Sequence, residues 1–530
     1  MKRWLSAGLL LISVSILIFL SAGSLHRTEF SAWITDPAEY TRIKETGKPT
    51  AENLIHEISF NDCPLFYDER TAGWFYSVSR DIPDTDPQIA FTAAAKDIRI
   101  AFSAKIIPGQ TVPFLAYNGS VWREYSLTAT PLPLIRIECD AEDFLPPVQD
   151  TDYPVRFMLI DNRPDVLQPV VRSDGRFHIR GHGSAIYEKK AFRLSLYLPA
   201  GGREEHEVPV SLLGMRSDGD WLLYPGYNDQ EKIRNVFSSN LWLRSCGADN
   251  NFGIQNGNEY RFAELFLNRQ YWGLYAIGSP IDAKQMHIVP NIMGHYEEFI
   301  FKQSTWGPGE ELTTADNSGL VPLFDADAAE VDYGFSILKQ YFEYINAGAP
   351  DGLAHNDAGN AVDIWLFLKL IQADDSIGTA RKSANNIIYT IKSSDEGKKI
   401  LYTPWDMDRS WGNTVALEQH NTTAPYALRP DNNRYELRFS PVSVLLRQNS
   451  GFAAEIRNRY AQLRAESWSD ENITSMIDSF EADIFGSGAY AREMERWPDG
   501  SYIDPEAGLS LFRAYVLERF RSMDEYIAGL

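Results

Sequence analysis

The chain has 530 residues, a formal net charge of −22 and 44% hydrophobic residues. At roughly 150 residues per domain, that length allows two to four domains, and the composition excludes a disordered tail or a low-complexity fibre. A surface this acidic repels a phosphate backbone and argues against a nucleic-acid partner, while it would draw a basic protein or metal ions.

Residues 1–27 have the layout of a signal peptide. Lys2 and Arg3 precede an uncharged, mostly apolar run from Trp4 to Leu20, closed by Ala22, Gly23 and Ser24. The run is long for a signal, so the alternative is an uncleaved membrane anchor through residues 4–22. Both readings export the remainder: secreted, periplasmic, or held on the outer side of a membrane. Residues 28–55 are polar and weakly patterned, as in a linker or a capping stretch. From 56 to 150 the segments IRIAFS, TVPFLAY, VWREYSLTA and LIRIECD alternate apolar and polar residues between Pro and Gly breakers, and Asn118-Gly119 marks a hairpin. This predicts a small β-sandwich-like accessory domain.

From 153 to 527 the texture is mixed. VRFMLID, FHIRGHG and AFRLSLYL predict strands, residues 232–247 a helix, and 260–268, 271–278 and 298–303 strands again. Residues 335–349 and 361–375 have helical periodicity, NNIIYTIK and KKILYTPWDMD return to β, and the chain beyond 440 is mostly helical. The fold class is α+β with a helical C-terminal part. Cys63, Cys139 and Cys246 are too few and too widely spaced for a metal motif or a disulfide framework and are read as structural.

Two clusters could carry chemistry. Asp374, Asp375, Asn385, Asn386, Asp406 and Asp408 combine carboxylates and amides at the ends of neighbouring elements. Such hard oxygen ligands suit Mg²⁺ with its bound phosphates, and a carboxylate beside them can orient a hydroxyl nucleophile. Their alternative is an acidic turn. The second cluster is Arg180, Gly181, His182, Gly183 and Ser184, followed by Lys189, Lys190 and Arg193. Small residues let backbone amides approach an anion, and a lysine on the next strand can pair with phosphates; an ordinary hairpin with a solvated edge is the alternative.

The stretches RGHGSAIYEKKAFRLSLYL, LLGMRSDGDWLLYPGYNDQEKIRN, AELFLNRQYWGLY and PWDMDRSWG, taken in that order, resemble the spore-coat CotH kinase family, and LERFRSMDEYI is similar to that family's closing helix. The resemblance covers about 153 to 527. It implies an atypical protein-kinase-like fold that uses ATP and Mg²⁺ to phosphorylate serine hydroxyls of a protein substrate; the net charge of −22 would attract a basic, Ser-rich one. By position, Lys189 resembles the ATP-phosphate lysine, with Lys190 as alternate, and Asp375 the catalytic carboxylate. Asp406 resembles the metal aspartate, Asn385 or Asn386 a second ligand, and Asp408 a helper to the metal or to Arg409. Arg180, Gly181, Ser184, Arg193 and Arg234 fall on cofactor-side motifs. Two departures stand out: Gly278, Ser279 and Pro280 occupy the place of an acid that would pair with the lysine, and SSDEGKK at 393–399 lengthens a hairpin. The competing function is a non-catalytic envelope or adhesin-like binding protein on the same scaffold.

Overall fold

The computed structural model describes residues 26–30, 37–79, 89–163, 166, 168–181, 183–197, 209–303, 320–376, 386–415, 423–433, 437, 440–448 and 451–530. Residues 1–25 of the expected signal or anchor, His182 and Asn385 lie outside these. Among the described residues, no helix is long and apolar enough to cross a membrane.

The N-terminal region is two packed sheets. One runs His26–Phe30, Ile89–Ala93, Ile55–Phe60, Cys63–Pro64; the other runs Phe66–Asp68, Gly73–Ser77, Val121–Thr130, Thr111–Tyr117, Arg99–Phe102. Alternation along these strands turns Ile58, Phe60, Ile100, Phe114, Tyr125 and Leu127 into a shared interior. The 28–55 stretch is not a linker. It supplies most of the edge strand His26–Phe30 and the helix Pro37–Thr46, which buries only Ile43. One buried side chain in ten residues leaves no amphipathic stripe for periodicity to reveal.

Seven strands then close a barrel in the order Leu134–Glu138, Tyr153–Ile160, Val170–Arg180, Ala191–Tyr197, Asp220–Tyr224, Gln270–Gly278, Tyr260–Leu267. Leu134–Glu138, grouped by alternation with the accessory region, belongs here: it pairs with Tyr153–Ile160 and Tyr260–Leu267. Strand periodicity identifies a face but not the partner sheet. Phe157, Phe177, Phe192, Leu194, Trp221 and Tyr275 fill the interior.

Beyond the barrel, a four-stranded sheet runs Leu320–Pro322, Phe299–Gln303, Ile387–Ser394, Gly397–Pro404. The added SSDEGKK segment is its hairpin turn, with Gly397 at φ 108°. Helices surround the sheet, and Ala358–Ile371 is the central one: every residue from Asn360 to Ile371 is buried. Asp357 caps it, accepting from the Asn360 N–H at 3.0 Å and from the Asn251 N–H at 2.7 Å. All three cysteines are free and buried.

Replacing Asp357 with Ala removes both acceptors. Urea unfolding is expected to show a loss of about 1–2 kcal/mol.

Candidate active site

The helix Ala358–Ile371 ends where Gln372 turns left-handed, φ 54°, which throws Asp374 and Asp375 into a tight turn. The hairpin Ile387–Ser394/Gly397–Pro404 aligns Ile387 with Pro404, so Asn386 and the segment after Trp405 leave the sheet side by side. The Trp405 N–H donates to the Asn386 carbonyl at 3.0 Å. Both Asn386 and Asp406 are left-handed, φ 57° and 54°. Asn tolerates that region; Asp406 adopts it against a steric penalty that the surrounding structure must hold.

These turns bring Asp375, Asn386, Asp406, Asp408 and Arg409 together. Asp375, 9% exposed, accepts from Arg409 Nη1 on Oδ1 at 2.8 Å, and from Asn386 Nδ2 on Oδ2 at 3.4 Å. Asn386 Nδ2 also reaches the Asp406 carbonyl at 3.5 Å. Asp408, half-buried, accepts from Asn228 Nδ2 at 3.0 Å. The Asp406 carboxylate is exposed. Burial raises the Asp375 carboxyl to about 6; Arg409 pulls it down while Asp406 and Asp374 push it up. Burial, then Asp406 and Asp375, push Asp408 up to about 8. Burial opposes the Arg409 charge, but Asp375 and Asp408 hold it above its ordinary value. Carboxylates thus converge on one guanidinium, and negative charge is left over.

Opposite lie two cations. Arg180, at the end of its barrel strand, places its guanidinium 5.6 Å from the Trp405 ring centre, and Lys302 Nζ lies 5.1 Å from the same ring. Burial holds Lys302 below its ordinary value; Asp406 supports its charge and Arg180 opposes it. Among the described residues neither cation makes an ion pair with a carboxylate. Lys302 was not singled out by motif, although a lone lysine in the apolar strand Phe299–Gln303 was its signal. Gly181 opens the turn beside Arg180 at φ 103°, and a Cβ there would lie 2.5 Å from Ser184 Oγ. Lys190 donates to the Ala185 carbonyl at 2.6 Å and braces this turn.

A model of the CotH kinase protein family matches residues 177–523. The chain belongs to the CotH kinase family. No curated protein matches it by sequence.

The family motifs now acquire physical roles, and several differ from expectation. Lys189 is fully buried: its Nζ donates to the Pro225 carbonyl, the Leu274 carbonyl and Glu493 Oε1 at 2.9, 2.5 and 2.5 Å, and sits 4.4 Å from the Tyr275 ring centre. An ammonium has three donors, so none remains for a phosphate, and the expected role of Lys189 is corrected to a structural one. Glu493, in the helix Ala489–Arg496, is the acid that sequence reading sought near Gly278. The Gly-Leu-Tyr motif exists for this pair. A Cβ on Gly273 would lie 2.4 Å from Glu493 Oε2, the Leu274 N–H donates to that oxygen at 2.8 Å, and Tyr275 covers the lysine.

Arg234 is likewise buried, paired with Asp229 and Glu231, and Arg193 binds Asp220 at 2.8 Å, so both are committed to acids other than Asp375, Asp406 and Asp408. Asn235, beside Arg234, accepts from the Met407 N–H at 2.9 Å and so fixes the Trp-Asp-Met-Asp turn. Among the described residues, Asp218, Asp220 and Asp282 form the one group of three acids close enough to share an ion. Arg193, Arg216 and Lys284 already neutralise it, so it is an ion-pair network.

Replacing Lys189 with Met leaves the Glu493 carboxylate buried and unpaired, at an expected loss of about 3–5 kcal/mol in urea unfolding. Adding Glu493→Gln, which keeps an acceptor for the Leu274 N–H, is expected to recover part of that loss. Nearby, burial lowers the Lys232 ammonium to about 7. The unfolded chain therefore binds the extra proton between pH 7 and about 10.4, and stability rises with pH across that window. The Tm of wild type minus that of Lys232→Met should grow from pH 7 to 10; a constant difference would contradict the assignment.

Proposed function

We propose that this CotH kinase family member is an exported protein serine kinase. The observation that supports it best is the surplus of carboxylates around Asp375 close to two cations at Trp405 that make no ion pair among the described residues. Among the described residues the donor set near Asp406 is carboxylate and amide oxygen, which suits a hard divalent cation such as Mg²⁺. Asp406 and Asp408 would hold it with the amide oxygen of Asn386, whose Nδ2 is already engaged. When bound, the cation offsets charge on the donor phosphates of ATP.

The remaining work falls to the chain itself. Asp375 has both carboxylate oxygens oriented, one by Arg409 and one by Asn386, the arrangement a base needs to align an incoming serine hydroxyl and accept its proton. Arg180 and Lys302 offer positive charge to the phosphoryl groups from the opposite wall, a role first given to Lys189. Export rests on the apolar run after Lys2 and Arg3. Binding without turnover is the second reading, and the burial of Lys189 is the observation that favours it.

The deciding experiment incubates the protein with Mg²⁺, γ-labelled ATP and a basic, Ser-rich acceptor. Label transfer is expected from wild type and not from Asp406→Ala. Asp375→Asn should lower turnover about a hundredfold or more, while Lys302→Ala raises the KM for ATP by about tenfold. Mg²⁺–ATP binding with no transfer to any acceptor or to the chain itself would select the second reading.

A further inference from the structure

A cleft of 610 Å³ lies between the N-terminal sheets and the outer wall of the barrel, away from the Asp375 site. That is the volume of a small-molecule site. Arg136 and Met158 line it from the barrel strands Leu134–Glu138 and Tyr153–Ile160, Arg172 from Val170–Arg180, and Arg269 from the turn between Tyr260–Leu267 and Gln270–Gly278. Tyr67 and Trp74 line the other side.

Several polar groups of this wall are donors with capacity to spare. Trp74 is 2% exposed, and its buried indole N–H has no partner among the described residues. Arg136 makes one 3.3 Å ion pair, with Glu138, and one long contact to the Met158 sulfur at 3.9 Å. A guanidinium has five N–H donors, so most of its capacity is unused. Arg172 makes no ion pair among the described residues. Arg269 is turned partly aside, 3.1 Å from Glu69. The acids on the lining answer these donors only in part, through the Glu138 pair with Arg136. Glu138 also faces Arg156 at 3.8 Å, and Glu57 and Asp62 are solvent-exposed. Burial holds the Arg136 guanidinium below its ordinary value; Glu138 and Glu57 support its charge, while Arg269 and Arg172 oppose it, and an anion reaching its unused donors would add charge-assisted hydrogen bonds. In a chain of net charge −22 such a gathering of arginines is not a general surface property.

We infer that this cleft is a second ligand site, which takes a small molecule through an oxyanion, phosphate or carboxylate, held by Arg136, Arg172 and the Trp74 N–H. It owes nothing to the kinase reading.

Calorimetric titration of the full chain tests it, with inorganic phosphate and citrate as probes. The background is Arg180→Ala/Lys302→Ala, which removes the two cations beside Trp405. One probe molecule is expected per chain, with affinity falling about tenfold on adding Arg172→Ala, an exposed substitution, and by several-fold on adding Trp74→Phe, which keeps the ring and loses the donor. Binding of phosphate alone identifies a phosphorylated ligand and binding of citrate alone a carboxylate; either supports the site. Absence of binding by both probes at millimolar concentration, or an affinity indifferent to Arg172→Ala, overturns it.

Discussion

The ion pair between Lys189 and Glu493 is the constraint on which the catalytic region is built. Two opposite charges sit with no solvent exposure, 304 residues apart in the chain. A buried pair gives little net stability compared with an apolar substitute, yet losing one member is severe. Its effect is therefore positional: the helix Ala489–Arg496 must dock on the strand Gln270–Gly278, and Gly273, Leu274 and Tyr275 each have a form that only this docking explains. Arg492 extends the same seam, binding the buried Glu264 at 2.6 Å. The barrel is thereby locked to the C-terminal helices, and the Arg180 turn acquires a fixed platform.

Against that platform the acidic site is electrostatically unfinished. Asp375 and Asp408 are both held above the ordinary carboxylate range, because burial and mutual repulsion outweigh a single arginine. Asp406 adds a left-handed backbone to the account. Functional sites are where folds tolerate such conflicts. The contrast with Asp218, Asp220 and Asp282 is instructive: there each acid has a cation, and Arg193, Ser195 and Lys284 overcome burial to bring Asp220 down to about 2. Proximity of acids alone would have chosen the wrong cluster.

Much of this was legible in the residues. Alternation marked the strands, and the order of Arg-Gly, Lys-Lys, Ile-Arg-Asn, Gly-Leu-Tyr and Trp-Asp-x-Asp identified the family. Asp375, Asn386, Asp406 and Asp408 did meet. What failed depended on distance in sequence. Glu493 cannot be assigned to Lys189 from a helix of ordinary polar composition, and Lys302 carries no motif. Burial turned Lys189 from a ligand contact into an internal strut and gave Arg234 the structural one of its two open roles, because a basic residue in a motif reads the same whether its partner is a phosphate or a carboxylate. Leu134–Glu138 went to the wrong sheet for the same reason that any strand can: its pattern specifies a face and leaves the neighbour open.

The position of Glu493 also has a temporal meaning. Synthesis delivers the chain from its N-terminus, and domains fold in that order. The barrel strands with Lys189 are complete by Gly278, but their lysine has no counterion until the helix Ala489–Arg496 has been made. During synthesis of the intervening residues the barrel holds either a charged lysine still open to water or an unsealed wall. Docking of the last few dozen residues then closes the core and completes the platform in one event, so a nascent chain stopped short of its end carries every acidic site residue and lacks the support that positions them.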